Sequence, residues 1–190
     1  ATDIVVFNIP QQIGSSIIDV TNRNITLETA ADTDLTSIIA SFTLSDGATA
    51  KVNAVSQLSN INSNDFSAIV VYQIIAQDGI TARNWAIRIT HAAPTIISFT
   101  PNSGAIGASV TITGTNFSAN IANNEVKFNY QVAEVISSTN TTIVVKVPAG
   151  AITGPIYVTT NNQTATSATD FTPASTIYSF TSNSANQLYF

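Results

Sequence analysis

The segment VVYQIIAQDGITARNWAIRIT, residues 70–90, decides the fold class of this chain. Apolar residues occupy every second position over 70–76, a Gln-Asp-Gly turn follows at 77–79, and the alternation resumes from Trp85 to Ile89. A period of two is typical of a strand with one buried face, and Asp-Gly between two such runs indicates a hairpin, because both residues tolerate positive φ. The segment therefore predicts a β-hairpin that buries Trp85.

Similar alternations recur about every ten residues on both sides of this hairpin, bounded by Gly, Pro, Asn, Asp and Ser, which is the spacing of an all-β sandwich. The predicted strands outside the hairpin lie around residues 5–9, 38–44, 97–99, 110–112, 126–128, 143–147, 156–158 and 171. Residues 29–39 fit a helical period moderately, and we interpret them as a connection with one helical turn. We predict about seven strands in the second half.

The domain organisation follows from length and from one interruption in the pattern. A chain of 190 residues suits two domains of about 100. The sequence THAAP at 90–94 breaks the alternation, and proline favours an extended, stiff connection. We therefore predict two tandem immunoglobulin-like β-sandwich domains at 1–92 and 93–173, with a C-terminal strand or tail at 174–190.

Composition excludes several classes of partner. Only 9% of the residues are charged, and the net charge of −5 arises from eleven acidic and six scattered basic residues. Nucleic-acid binding and anionic membranes both require clustered Lys and Arg, so neither is expected. Cysteine is absent, which excludes disulfides and thiolate metal sites, and the apolar runs are too short to span a bilayer. We expect a monomer.

The second half resembles a known family. The segments SFTPNSGAIGASVTITGTNFS (98–118), NEVKFN (124–129) and TTIVVKVPAGAITGPIYVTT (141–160), followed by DFT (170–172), are similar to IPT/TIG domains. The resemblance covers residues 94–172 and implies an immunoglobulin-like domain. Its glycines are expected to supply turn conformations, and Phe117 and Phe171 to fill the core. Family members often carry Asn-Gly after the strand that ends here at Phe128, whereas this sequence has Asn129-Tyr130.

The first half resembles modules of about 85 residues from surface lipoproteins of Bacteroidetes-type bacteria. The similar pieces are ASFTLSDGA (40–48), DFS (65–67) and the hairpin 71–90. Such modules commonly stand in tandem before other extracellular domains. The resemblance implies a surface or secreted location, with an outer-membrane lipoprotein as the expected form.

No residue pattern indicates catalysis, and no cofactor is expected. His91 is the single histidine and falls in the predicted linker, without a serine elbow to accompany it. The acidic residues Asp32, Asp34, Asp46, Asp65 and Asp78 all fall at predicted turns, where an aspartate side chain caps local backbone donors. The oxygen-rich loops at 32–34 and 60–65 leave calcium open as an alternative, although neither follows a known calcium-loop pattern.

Carbohydrate binding usually employs exposed aromatic side chains next to polar groups. Trp85 and Tyr72 share the parity of core residues, so we expect both to be buried. Tyr130, at a predicted turn tip, is the candidate ligand-binding residue. We therefore expect a non-enzymatic spacer or stalk in a larger surface protein. The alternative is a carbohydrate-binding or adhesion module associated with polysaccharide uptake, with a glycan or a protein as its ligand.

Overall fold

The alternating segments form strands on both sides of the predicted linker in this computed structural model, which describes residues 1–174. The strands of the first half are β1 (Ile4–Asn8), β2 (Gln12–Asp19), β3 (Asn24–Thr29), β4 (Ile38–Ile39), β5 (Ser41–Leu44), β6 (Thr49–Val52), β7 (Val55–Gln57), β8 (Ser63–Asn64), β9 (Val70–Ile75) and β10 (Ala82–His91). Six of them form one sheet in the order β2-β3-β10-β9-β6-β7, and the pairs β1-β5 and β4-β8 form two small sheets. The connection predicted to hold one helical turn contains the 3-10 turn Leu35–Ser37.

The predicted hairpin is present as β9 and β10, with Trp85 opposite Tyr72. Both side chains are essentially inaccessible to solvent, as predicted. The indole Nε1 of Trp85 donates to the carbonyl oxygen of Thr2 at 2.8 Å, so this buried polar atom is satisfied. Phe7 from β1 packs edge-on against Tyr72 with 5.6 Å between ring centroids, which joins the small sheet to the large one through one core.

The second half, as far as Ala174, contains nine strands, two more than predicted. They are β11 (Thr95–Thr100), β12 (Ser103–Gly104), β13 (Ser109–Thr115), β14 (Asn124–Phe128), β15 (Gln131–Ala133), β16 (Val135–Ser138), β17 (Thr142–Lys146), β18 (Gly154–Thr160) and β19 (Gln163–Pro173). Two sheets, β11-β13-β17-β16 and β12-β19-β18-β14-β15, enclose a second apolar core. Strands β12 and β15 are only two and three residues long, too short to show an alternation in the sequence.

Phe117 and Phe171 fill the second core as predicted, each without solvent exposure. The expectation for the glycines was partly wrong. Gly107 has a φ of +82°, but Gly114 does not have a positive φ. A β-carbon at Gly114 would lie 1.9 Å from the carbonyl oxygen of Thr95, so the position requires glycine for close packing of β11 rather than for a turn.

The connection between the two sandwiches is shorter than the THAAP motif predicted. Strand β10 continues to His91, and β11 begins at Thr95, so only Ala92, Ala93 and Pro94 connect them. The assignment of His91 to the linker was therefore wrong: it pairs with Thr29 of β3 in register, and its Nε2 lies 3.0 Å from the carbonyl oxygen of Thr33.

The described residues thus form an all-β chain of two consecutive sandwiches, as predicted. No helix within residues 1–174 has the length and apolar character needed to cross a membrane. The predicted strand or tail at 174–190 lies, apart from Ala174, outside the described residues.

Candidate functional site

The loop after β3 reaches from the first sandwich to the second. Its base is fixed by Thr29, whose hydroxyl lies 2.7 Å from that of Thr33, and the backbone N–H of Thr33 donates to the carbonyl oxygen of Ala30. Both threonines are buried. This tight turn directs the carboxylate of Asp32, which lies between buried neighbours, towards the other domain.

Among residues 1–174, all the hydrogen-bond donors to the Asp32 carboxylate belong to the second domain. The hydroxyl of Ser118 donates to Oδ1, the backbone N–H of Ala119 donates to Oδ2 at 2.7 Å, and Nδ2 of Asn140 donates to Oδ2 at 3.1 Å. Partial burial opposes ionisation, but these three hydrogen bonds outweigh it and hold the pKa of Asp32 below its ordinary value. The sequence interpretation of Asp32 as a local turn cap was therefore wrong.

Three side-chain amides of the second domain complete the joint by donating to backbone carbonyl oxygens of the first domain and of the connection. Asn116 donates to Ala93 at 2.8 Å, Asn161 to Ala31 at 2.9 Å and Gln163 to His91 at 3.0 Å. These donors come from the end of β13, the turn between β18 and β19, and the start of β19, so both sheets of the second domain take part. We call these contacts, with those of Asp32, the interdomain joint.

Behind the joint, the buried side chain of Asn124 holds the Ser118 loop in place. Its Oδ1 accepts from the backbone N–H of Ser118 at 3.0 Å and from the hydroxyl of Thr160 at 2.8 Å. Its Nδ2 donates to the carbonyl oxygen of Ser118 at 2.8 Å and to the hydroxyl of Ser138 at 3.0 Å. The donors that meet Asp32 are thus fixed by contacts inside the second domain.

Tyr130 lies at the tip of the hairpin β14-β15, where Phe128 pairs with Gln131. Asn129 has a φ of +53°, so it supplies the left-handed residue that Asn-Gly would supply. The phenol is 81% exposed, and the large apolar side chains of Val132 and Ile152 are also exposed. Its position at a turn tip is as predicted, and its role in ligand binding stays a prediction.

Asp34, Asp65 and Asp78, unlike Asp32, act as local caps, as the sequence predicted. Oδ1 of Asp34 accepts from the backbone N–H of Thr36 at 2.9 Å, and Oδ1 of Asp65 accepts from the backbone N–H of Ser67 at 2.8 Å. The hydroxyl of Thr81 and the backbone N–H groups of Ile80 and Thr81 all donate to Asp78, and these bonds lower its pKa. Residues 1–174 contain no group of three or more His, Cys, Asp or Glu side chains that could hold a metal ion.

Two open hollows lie on the described surface. One, of about 270 Å³, is lined by Val52, Asn53, Asn64, Asp65, Ile69, Val70 and Val71. The other, of about 500 Å³, is lined by Ala122, Asn123, Asn124, Glu125, Thr159, Asn161 and Asn162. Each holds a single carboxylate, so neither presents the pair of acidic groups that glycoside hydrolysis normally requires.

Comparison with protein families gives two matches, one for each sandwich. Residues 94–173 match the IPT/TIG domain, and residues 4–89 match the family described as SGBP, N-terminal. Comparison with curated proteins gives no significant match.

Among solved structures, the chain is similar to an auxiliary nutrient binding protein from Bacteroides thetaiotaomicron, with 21% identity over 44% of this chain and a TM-score of 0.42. A second auxiliary nutrient binding protein, from Bacteroides ovatus, has 19% identity over 44% of this chain and a TM-score of 0.43. The match spans 21% of the length of each of these two chains. The gamma-CGTase of Alkalophilic bacillus clarkii matches 88% of this chain and 25% of its own, with 15% identity and a TM-score of 0.38.

Proposed function

We infer that this chain acts as a spacer in a glycan-associated surface protein of Bacteroidetes. The inference starts from its two domains, an SGBP N-terminal domain at residues 4–89 followed by an immunoglobulin-like IPT/TIG domain at 94–173. The two sandwiches form a non-enzymatic arm that holds the rest of such a protein at a set distance and orientation. Both domain types are generally non-catalytic. We propose domain limits of 1–92 and 93–173, a lipoprotein anchor at the cell surface, and a monomeric state.

The observation that carries this proposal is the ionised Asp32 in the interdomain joint. A spacer must resist bending, and bending here would separate the Asp32 carboxylate from its three donors. A hydrogen bond to a charged group stabilises a folded arrangement by about 1.5–3 kcal/mol. Because Asp32 is largely exposed to solvent, we expect each of its hydrogen bonds to contribute an energy near the lower end of this range. The three-residue connection, with Pro94 buried, adds stiffness, because a short chain leaves few alternative orientations.

Distance measurements between two spin labels test the spacer role. The chain has no cysteine, so Ser56→Cys in the first domain and Ala149→Cys in the second place one label on each exposed site. We expect a narrow distance distribution by pulsed electron paramagnetic resonance, and a clearly broader one for Asp32→Ala.

Asp34→Ala is the matched control, since Asp34 lies two residues away and caps only Thr36 in its own domain. The control should keep the narrow distribution. A broad distribution in the unmodified chain, or equal widths for Asp32→Ala and the unmodified chain, would contradict the rigid-spacer proposal.

A second candidate function is glycan binding at Tyr130. The observation that favours it is an 81% exposed phenol on a hairpin tip, since exposed aromatic faces suit sugar rings. Binding of polysaccharides on a glycan array should then be lost in Tyr130→Ala. The control Ile80→Ala, which alters another exposed hairpin tip, should retain it, and an array without any binding would rule this function out.

A further inference from the structure

Aspartate is followed by glycine at two places in the chain, Asp46-Gly47 and Asp78-Gly79. The backbone nitrogen after an aspartate can attack the side-chain carboxyl carbon, and glycine hinders this attack least because it has no β-carbon. Both pairs lie in exposed turns, the first between β5 and β6 and the second between β9 and β10. Thr49 at the start of β6 pairs with Ile75 at the end of β9, so the two turns lie at the same end of the first sandwich.

The Asp78 turn holds both reacting groups in hydrogen bonds. The carboxylate accepts from the hydroxyl of Thr81 at 2.7 Å and from the backbone N–H of Ile80 at 2.8 Å, and these bonds lower the pKa of Asp78 to about 2. Ring closure is favoured by a protonated carboxyl, because an oxygen then leaves as water. The N–H of Gly79, which carries the attacking nitrogen, donates to the carbonyl oxygen of Ala76 at 2.9 Å. This turn therefore resists the reaction.

The Asp46 turn leaves the same two groups without a hydrogen bond. It is closed by the backbone N–H of Ala48, which donates to the carbonyl oxygen of Ser45 at 3.0 Å. Within residues 1–174, the Asp46 carboxylate takes part in no hydrogen bond or ion pair, and the N–H of Gly47 donates to no acceptor. Asp46 lies at a turn, as the sequence predicted, but the expectation that it caps local backbone donors was wrong.

The fold requires glycine at position 47, next to this unprotected carboxylate. Gly47 has a φ of +68°, which a residue with a β-carbon adopts poorly. A β-carbon there would also lie 2.7 Å from Cγ and Cδ of Gln77, whose side chain comes from the neighbouring turn. Packing and backbone conformation together thus keep in place the residue that hinders ring closure least.

From these contacts, we propose that Asp46 converts spontaneously to isoaspartate in the folded protein, whereas Asp78 is protected. The backbone nitrogen of Gly47 forms a bond to Cγ of Asp46, the nitrogen loses its proton, and a side-chain oxygen of Asp46 leaves as water. Water then opens the resulting five-membered ring at the original backbone carbonyl carbon. The product has the same atoms as before, and its backbone runs through the former side-chain carboxyl carbon.

The isoaspartyl link affects the first sandwich and leaves the interdomain joint intact. It adds a methylene to the backbone between Ser45 and Ala48, whose hydrogen bond closes the turn, and it shifts Gly47 against Gln77. Strand β10 runs ten residues from this end of the sandwich to His91, where the joint lies. We therefore expect the converted chain to have a lower urea midpoint for the first domain and an unchanged spin-label distance distribution.

Incubation of the full chain at mildly acidic pH tests the proposal. Isoaspartate is located by labelling with isoaspartyl methyltransferase and by peptide mapping, because asparagine deamidation elsewhere gives the same product. We expect several times more isoaspartate at position 46 than at position 78. Incubation in urea removes the hydrogen bonds of both turns, so the two positions should then react to similar extents.

Two variants provide the controls. Thr81→Val removes a hydrogen bond to Asp78 and should raise isoaspartate at position 78 without changing that at position 46. Asp46→Glu should abolish the product at position 46, because the longer side chain would have to close a six-membered ring. The fluorescence of buried Trp85 shows whether each variant is folded.

Three results would overturn the proposal. The first is equal isoaspartate at positions 46 and 78 of the folded chain, and the second is a folded chain without any at position 46. The third is the same excess at position 46 in urea, which would assign the difference to the local sequence rather than to the hydrogen bonds of the fold.

Discussion

Asp32 and Asp34 are two residues apart, yet their carboxylates have different hydrogen-bond partners. Asp34 accepts from Thr36 inside its own loop, whereas Asp32 accepts from Ser118, Ala119 and Asn140 of the second domain. The local sequence around the two residues is similar, so a rule based on turn propensity assigns them the same role. Only the approach of the second sandwich distinguishes them.

The joint should loosen in acid. Hydrogen bonds lower the pKa of Asp32 below the ordinary value of 3.8. The ionised carboxylate therefore stabilises the joint fully at any pH above 3.8, and this stabilisation is lost as the pH falls through the lowered pKa. We expect the spin-label distance distribution to stay narrow from neutral pH to about pH 5 and to broaden only below about pH 4. Asp32→Asn should remove the transition, and a transition that persists in this variant would assign it to another group.

Gly114 is a residue where an added methyl group has no space. A β-carbon there would lie 1.9 Å from the carbonyl oxygen of Thr95 and 2.4 Å from Cζ of Phe117. We expect Gly114→Ala to lower the free energy of unfolding of the second domain by about 3 kcal/mol or more. Gly107→Ala, at a positive φ but in open space, should cost only about 1–2 kcal/mol. Urea unfolding followed by circular dichroism measures both, and equal costs would contradict the packing argument.

At the scale of elements, tight hairpins with left-handed residues recur in both sandwiches. Strands β6 and β7 are joined by Asn53 and Ala54, with φ values of +48° and +66°, and β18 and β19 by Asn161 and Asn162, with +51° and +61°. Asparagine tolerates this conformation, so Asn-Asn predicts the second turn well. Alanine tolerates it poorly, and the sequence gives no local signal for a turn at Ala54.

The strain at Ala54 gives a stabilising substitution. Left-handed backbone costs a residue with a β-carbon roughly 1–2 kcal/mol, a cost that glycine avoids. The greater conformational entropy of glycine in the unfolded chain offsets roughly half of this gain. We expect Ala54→Gly to raise the stability of the first domain by about 0.5–1 kcal/mol, seen as a higher urea midpoint for Trp85 fluorescence. Ala50→Gly, at a buried position of β6, should lower the midpoint. A lower midpoint for Ala54→Gly would show that the turn is not strained.

At the scale of the whole molecule, each sandwich has an apolar core of its own. Trp85 and Tyr72 lie in the first, Phe117 and Phe171 in the second. The joint between them consists of hydrogen bonds to the Asp32 carboxylate and to the backbone carbonyl oxygens of Ala31, His91 and Ala93. Because the cores are separate, the stability of each domain should depend mainly on its own packing.

Separate production of residues 1–92 and 93–173 tests this independence and the proposed domain limits. We expect each fragment to unfold cooperatively in urea, and Trp85 of the first fragment to emit as a buried indole. The joint should add only a small increment to either domain in the intact chain. Loss of cooperative unfolding in either fragment would mean that the cores depend on each other, or that the limits are misplaced.

The sequence by itself determined the all-β class, the hairpin around Trp85, the resemblance of residues 94–172 to IPT/TIG domains and the exposed turn at Tyr130. These depend on alternation and turn chemistry, which act between residues near each other in the chain. The tertiary structure alone decided that β10 continues through His91, that Gly114 is fixed by close packing, and that Asp32 belongs to the joint. Each depends on an atom distant in sequence: Asp32 and Ser118 are 86 residues apart. No local pattern records such an approach, because it arises only when two sandwiches with separate cores meet across a three-residue connection.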